Sequence, residues 1–409
     1  MKIKNHRSNY ETFLTRNIFK ELFKKNKNLP QIWCIVLHPV EYQIPFYECL
    51  YKLSKHKSLI CFMDSYNLKP FKASRWGEII EARESTNPKN YKFKYFFCKN
   101  LSPYYESIFF NRVNLDIIFN IVIYQPKIAI ITSYTSFTTF IILLLAPFLK
   151  TKICLRAEGG LIGRQFLRNR NTIPRKLVDW LIKRADYFFY SCDDNKEYFL
   201  TRGIKENKLY PLLSSVDSKF FNTKSKKPKK NYEYFLIASK LEKRKNVIEA
   251  ILGYKKYVEK SSLIGKNFPR LIIAGTGPES NFLKKEENNH IIFYDYVKDQ
   301  KLMRSLLQGS IGLIISSLYD PSPKIVNEAM ACSKTVLCRD TVGFAGNLIE
   351  HKKNGYIYNP FNEDDILLGY RWLEENKDNK KIKNFCKKKS NFWSPEQNAE
   401  SVVKLFNKI

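Results

Sequence analysis

The chain has no Cys-x-x-Cys pair and no Cys/His cluster. Its nine cysteines (Cys34, Cys49, Cys61, Cys98, Cys154, Cys192, Cys332, Cys338, Cys386) are scattered, mostly among apolar neighbours. Zinc sites and disulfide frameworks both need regularly spaced ligands, so no metal and no disulfide is expected. Reduced thiols buried as small hydrophobes fit better and point to a cytoplasmic protein. Long apolar runs are missing too: the longest, residues 140–149, falls short of the roughly 20 residues that span a bilayer. Residues 1–27 form no continuous apolar run, so no signal peptide is expected. Acidic residues are few, 39 Asp+Glu against 70 Lys+Arg in 409 residues, a formal net charge of +31. A glycine-rich loop is absent after the first strand-like run, where His38-Pro39-Val40-Glu41-Tyr42 stands instead.

What is present is a strongly basic, aromatic-rich chain long enough for two cores, with 44% hydrophobic residues. A field of that sign attracts polyanions: nucleic acid, acidic headgroups or phosphorylated substrates. A compositional bias towards Lys, Asn and Ile would produce part of the same excess. In the segment 1–29, Tyr10, Phe13, Leu14, Ile18, Leu22 and Phe23 recur at helical spacing, with Lys20, Lys24, Lys25 and Lys27 among and after them. That pattern predicts a basic amphipathic helix, lying on an anionic membrane or docked on its own protein.

From Ile32 onward, short buried-strand patterns alternate with helical ones: strands at 32–37, 59–63, 128–132 and 152–155, helices near 45–53 and 137–149. A polar, lysine-rich stretch follows, and the alternation restarts with strands at 234–238, 270–274, 291–294, 312–316 and 335–338. The expected fold class is α/β, two doubly wound Rossmann-like domains with the active site in the cleft between them. The expected boundaries are 30–213 for the first domain, 214–232 for a linker and 233–393 for the second. Residues 394–409 would form a final helix.

Chemistry-bearing residues cluster after the later strands. In Asp320-Pro-Ser-Pro-Lys-Ile-Val-Asn-Glu328, two carboxylates bracket a loop that opens a helix. A helix start presents unpaired N–H groups and a positive dipole end to an anionic diphosphate. A carboxylate nearby can accept both hydrogen bonds of a ribose diol. Taken singly, Asp320 would equally serve as a helix cap and Glu328 as a surface residue. Lys240 and Lys245 follow the strand 234–238, placed to neutralise a diphosphate leaving group where no metal does so. Gly275-Thr-Gly277 ends another strand, and Val342-Gly343 and Asn354-Gly355-Tyr356 are turn signals.

In this order, the segments from about residue 186 to 362 resemble the retaining glycosyltransferases of family 4, enzymes of the GT-B fold. Val216-Asp217 followed by Phe220 and Phe221, and Ser394-Pro395-Glu396, add to the likeness. It implies that 30–213 is the acceptor-binding domain, 233–393 the nucleotide-sugar-binding domain and 394–409 a helix crossing back to the first domain. The resemblance implies a nucleoside-diphosphate sugar as donor and no further cofactor. It implies that Lys240 and Lys245 hold the donor diphosphate, Glu328 the nucleotide ribose, and Asp320 the reacting face of the sugar. Val297 would meet the nucleobase through its backbone, and Ser322, Pro323 and Lys324 would touch sugar and phosphates. Asp320 is one methylene shorter than the family's glutamate, Lys240 replaces an arginine fork with a point charge, and Ser333 stands at a common glycine.

On the acceptor side, Glu158 is the candidate catalytic carboxylate, with Arg156 and His38 as further candidates. Arg164, Arg168, Arg170, Arg175, Lys176, Lys183 and Arg184 beside the apolar stretch 140–149 suit a lipid-linked acceptor at an anionic membrane. The expected function is therefore transfer of a sugar to a lipid-linked glycan in polysaccharide or glycoconjugate biosynthesis. The expected location is cytoplasmic, peripheral on the inner face of a bacterial-type plasma membrane. The charge also raises a DNA-binding or DNA-modifying glucosyltransferase, and the fold a sugar-nucleotide epimerase or phosphorylase. No helix-turn-helix, zinc or RNA-binding motif accompanies the charge, so nucleic acid is not the expected partner. No pyridoxal-phosphate lysine motif supports a phosphorylase.

Overall fold

The computed structural model describes residues 29–65, 68, 71–72, 79–80, 87–102, 109–157, 175–225, 232–263, 265 and 267–409. The basic segment 1–28, Glu158, Arg164, Arg168, Arg170 and the Arg175 side chain lie outside the described residues, as does the lysine run 226–230.

The first half runs β1 (Ile32–Val36), α1 (Ile44–Leu53), β2 (Ser58–Phe62), the two-residue pair β3 (Phe71–Lys72) and β4 (Ile79–Ile80), and β5 (Tyr95–Phe97). It continues with α2 (Leu115–Tyr124), β6 (Ile128–Thr132), α3 (Phe137–Leu145), β7 (Lys152–Arg156), α4 (Arg175–Ile182), β8 (Tyr187–Tyr190), α5 (Asp193–Leu200) and β9 (Leu209–Pro211). Seven strands form one parallel sheet in the order β5-β2-β1-β6-β7-β8-β9. Their near-continuous apolar sequences follow from cover on both faces. One face packs under α2, α3 and α4 through Ile117, Ile121, Ile142, Leu143 and Leu181. The other packs under α1 and the C-terminal helix.

The helix expected over 137–149 stops at Leu145, and a 3₁₀ turn, Ala146–Phe148, replaces its end. Pro147 has no N–H to give the Leu143 carbonyl. Arg184 fills that place, donating through Nε to Leu143 O at 3.2 Å and through Nη2 to Leu144 O at 3.1 Å.

The second half comprises α6 (Ser218–Asn222), β10 (Tyr234–Ala238), α7 (Val247–Ser262), β11 (Arg270–Ala274), α8 (Ser280–Leu283), β12 (Ile291–Tyr294) and α9 (Gln300–Gly309). Then come β13 (Gly312–Ile315), α10 (Lys324–Ala331), β14 (Thr335–Arg339), β15 (Gly355–Tyr358), α11 (Asp365–Glu375), α12 (Lys380–Phe392) and α13 (Pro395–Lys408). Its six-stranded sheet has the order β12-β11-β10-β13-β14-β15, again parallel. Helix α6 lies in the stretch read as linker. Phe221 is buried there, and the Cys332 Sγ at the end of α10 lies 3.3 Å from its carbonyl.

The last helix returns to the first domain. Ser394 caps α13 by accepting from the Gln397 amide, and Ala399, Val402 and Leu405 join Phe46, Tyr47 and Leu50 in one core. Asn398 Nδ2 donates to Leu213 O at 2.6 Å and to Ser215 Oγ at 2.9 Å, tying the helix to the crossover. All nine cysteines are unpaired thiols and eight are buried. Burial pushes Cys34 and Cys386 up to about 12, so those thiols stay protonated and inert.

Candidate functional site

In a doubly wound sheet the connections reverse direction at one point, and the loops on either side of it part to leave a crevice at the carboxyl ends of the strands. In the second domain that point lies between β10 and β13. The loop after β10 carries Lys240 and Lys245; the loop after β13 carries Asp320. The chain folds these together although 75 residues separate Lys245 from Asp320.

Their meeting is specific. The Lys245 ammonium pairs with the Asp320 carboxylate, with side-chain exposures of 16% and 11%. The Arg244 guanidinium stands 4.0 Å from the same oxygen and donates to the Tyr319 carbonyl at 2.9 Å. Lys240 Nζ lies 3.4 Å from Glu242. Two backbone and hydroxyl links hold the loops in register: Leu318 N to Arg244 O at 2.9 Å and Ser316 Oγ to Lys245 O at 3.2 Å. Lys243–Lys245 form one 3₁₀ turn, closed by Asn246 in the left-handed region at φ 47°. Asparagine tolerates that conformation better than most side chains.

Two glycines brace these loops by close backbone approach. A Cβ on Gly275, itself at φ 151°, would stand 1.9 Å from the Ser239 carbonyl, beside Lys240. A Cβ on Gly343 would stand 2.3 Å from the Pro321 carbonyl, while its N–H donates to Asp320 O at 2.9 Å.

Helix α10 begins at Lys324 with Pro323 as its cap residue and no capping side chain. The start of such a helix carries the positive end of its dipole, which favours an anion. Pro323 has no N–H, and its carbonyl accepts from Val326 at 3.0 Å. Its contribution is the fixed φ that starts the helix. Ser322 N approaches Asp320 Oδ1 at 3.4 Å, and Lys324 Nζ approaches Ser322 Oγ at the same distance. Glu328 sits half-buried one turn into α10, between the buried Asn327 and Ala329. Val297, in the loop after β12, and Ile325, in the first turn of α10, both pack against the core of the second domain. The C-terminus of α10 explains the missing glycine. Ser333 takes φ 59°, with Ser333 N bonding Met330 O and Lys334 N bonding Ala329 O, each at 2.9 Å. This is the left-handed cap where glycine is easiest, and serine costs about 1 kcal/mol there.

The first domain faces this site. Lys324 Nζ lies 4.8 Å from the centre of the Tyr42 ring, a cation–π contact across the cleft. Cys192 Sγ lies 3.6 Å from the Pro321 carbonyl, and Asn327 Nδ2 donates to Ser214 O. Arg156, buried at the end of β7, shares a narrow cavity with Tyr42, Gln43, Lys324, Ser215 and Asn398. The structure thus gathers Lys245 with Asp320, and Lys324 with Arg156. Arg244, Glu242 and Tyr42 were not singled out by sequence. In the run Lys243-Arg244-Lys245, nothing local says which cation points inward.

His38 follows β1, at the first sheet's own switch point between β1 and β6. Desolvation, and then the positive Arg112, lower its pKa to about 4. The imidazole is neutral at pH 7, suited to hydrogen bonding and not to binding an anion by charge. A folded pKa below the unfolded one means the unfolded chain takes the proton first, so stability falls as pH drops from about 6.5 towards 4. The loss expected from this group is about 3 kcal/mol. Urea unfolding of wild type and His38→Gln at pH 7.5 and 4.5 checks it: the variant should lose less on acidification, and equal losses would contradict the burial argument.

Residues 218–391 match the family model of glycosyl transferases group 1. No curated protein sequence matches the chain. Among solved structures it resembles a glycosyltransferase from Rickettsia africae (TM-score 0.67, 14% identity, covering 94% of this chain and 99% of that one). It also resembles Anabaena HepE in complex with UDP (0.67, 11%, 93% and 100%). A third likeness is to the lipopolysaccharide outer core galactosyltransferase WaaB (0.62, 13%, 92% and 100%). The two parallel-sheet domains define a GT-B fold. With the group 1 match over the second domain, the chain is a glycosyltransferase.

Proposed function

We propose that the chain is a retaining glycosyltransferase of the family 4 type, moving a sugar from a nucleoside-diphosphate donor to a lipid-linked glycan. In this reading it acts in polysaccharide or glycoconjugate assembly, from the cytoplasmic side of the membrane. The observation that carries it is the meeting of Lys245 and Arg244 with Asp320 at the β10/β13 switch point, with Lys240 on the same loop and the start of α10 four residues after Asp320. Cations and helix N–H groups aimed at one place stabilise the negative charge that develops on a departing diphosphate. In this reading Glu328 accepts from the ribose hydroxyls, and Asp320 faces the sugar carbon. The acceptor hydroxyl enters on the side the phosphate leaves. Its proton passes to the departing phosphate oxygen as the glycosidic bond forms, so a separate strong base is unnecessary. Tyr42, Arg156 and His38 would form the acceptor wall, and Glu158 would orient the incoming hydroxyl.

The test is a thermal-shift screen against nucleoside diphosphates and their sugars, followed by transfer to lipid-linked acceptors. One nucleotide and its sugar should raise Tm. Free nucleoside diphosphate should appear only when acceptor is added, and NMR of the product should show the donor's anomeric configuration. Nucleotide-sugar consumed without acceptor would favour an epimerase, and an inverted product would remove the retaining assignment.

A further inference from the structure

The first domain carries a second surface that the donor site does not use. Helices α2, α3 and α4 lie side by side over one face of its sheet, and their inner residues form its core. Their outward residues are not the polar set expected of a solvated layer. Phe119 is 62% exposed, Ile123 68%, Phe148 81% and Trp180 48%. A water-facing layer this apolar marks a contact surface.

Charge on the same layer is one-sided. Lys150, Lys176 and Lys183 are exposed on it, and Arg184 lies 4.8 Å over the Trp180 ring. The acidic groups are held locally. Asp116 accepts from the Lys99 and Ile117 amides, Asp179 pairs with Arg202, and Asp186 pairs with Lys152 at 3.2 Å. What projects outward is apolar and cationic, with tryptophan beside arginine, the combination that suits the headgroup region of an anionic bilayer.

The position of Leu29 adds an independent argument. Parallel strands begin where the covering helices end, so β1 starts at the edge where α2 and α3 finish. Trp33 next to that edge donates to Pro30 O at 3.0 Å, and its ring stands 6.5 Å from Tyr124, the last residue of α2. The 28 residues before Leu29, basic and with apolar residues at helical spacing in their sequence, therefore join the chain at the edge where α2 ends.

We infer that the outer face of α2, the Ala146–Phe148 turn and α4 is a docking surface for an anionic lipid bilayer. It rests on the membrane-side part of the proposed function, and it is tested by vesicle binding, not by transfer.

The experiment is co-flotation of the full chain with vesicles of phosphatidylglycerol and phosphatidylcholine, or of phosphatidylcholine alone, at low and high salt. Wild type should float with the anionic vesicles and bind less as salt rises. Phe119→Ser, Ile123→Ser, Phe148→Ser and Trp180→Ser together should lower partitioning roughly tenfold or more. Lys150→Glu, Lys176→Glu and Lys183→Glu together should lower it roughly a hundredfold at low salt. All seven sites are exposed, so circular dichroism, Tm and the shift given by nucleotide-sugar should match wild type. Variants that float as wild type does would overturn the assignment. So would a wild-type dimer that the serine variants convert to monomer with flotation unchanged, which would make the face a contact between copies.

Discussion

Replacing Lys245 by methionine should destabilise the protein by about 2–3 kcal/mol and cut sugar transfer by roughly a hundredfold or more, two effects with different origins. The first is local. Asp320 is buried, and removing its partner leaves its carboxylate to the more distant Arg244 at 4.0 Å and the Ser322 amide at 3.4 Å among the described residues. An uncompensated buried charge is costly, whereas removing both charges often costs little. The double variant Lys245→Met with Asp320→Asn should therefore regain stability to within about 1 kcal/mol of wild type. The second effect belongs to the reaction. The ammonium that balances Asp320 in this structure is, in the proposed function, also a cation for the departing diphosphate, and its loss leaves that charge less stabilised. The double variant should stay as inactive as the single one. Urea unfolding and initial rates on all four proteins separate the contributions. Transfer within about threefold of wild type in Lys245→Met would mean the pair is structural and Lys240 or Arg244 carries the phosphate.

The two-domain fold was legible because its strands are continuous apolar runs between turn residues. The strands read over 234–238, 270–274 and 291–294 agree with β10, β11 and β12 to the residue. Helix α6 was not legible. Phe220 and Phe221 stand in a basic, polar stretch, and their helix exists because it packs on α10, with Arg304 lying 4.4 Å over the Phe220 ring. The candidate site was half legible. Chemistry drew attention to the loops after β10 and β13, but that they are neighbours depends on sheet order, which no local pattern encodes. The same limit hid Tyr42, an aromatic after an early strand that acquires meaning when Lys324 of the other domain stands over it. Asp320 shows why the shorter side chain mattered: its carboxylate is drawn back to the β10 loop by Lys245. A role at the sugar then asks for a shift of the loop or of the pair when donor binds.

Glu328→Ala should remove measurable donor binding while leaving the fold almost untouched. The residue lies one turn into α10, half-buried on a helix whose packing rests on Val326, Ala329 and Met330. Alanine is the best helix former, so the substitution carries little local penalty. Its effect on the ligand is large because a carboxylate that accepts from both hydroxyls of a ribose makes two charge-assisted hydrogen bonds. Each is worth about 1.5–3 kcal/mol, which together predicts a loss of affinity of at least roughly a hundredfold. Glu328→Gln separates geometry from charge: one oxygen remains to accept, so affinity should fall by about tenfold and Tm should stay with wild type. Calorimetric titration of the three proteins with the nucleotide found in the screen decides it. The ordering wild type, Gln, Ala is the signature of a diol held by a carboxylate. Equal affinities in all three would remove Glu328 from the nucleotide and leave α10 with its N–H groups alone. A loss that tracks a fall in Tm would instead place Glu328 in the packing of the helix.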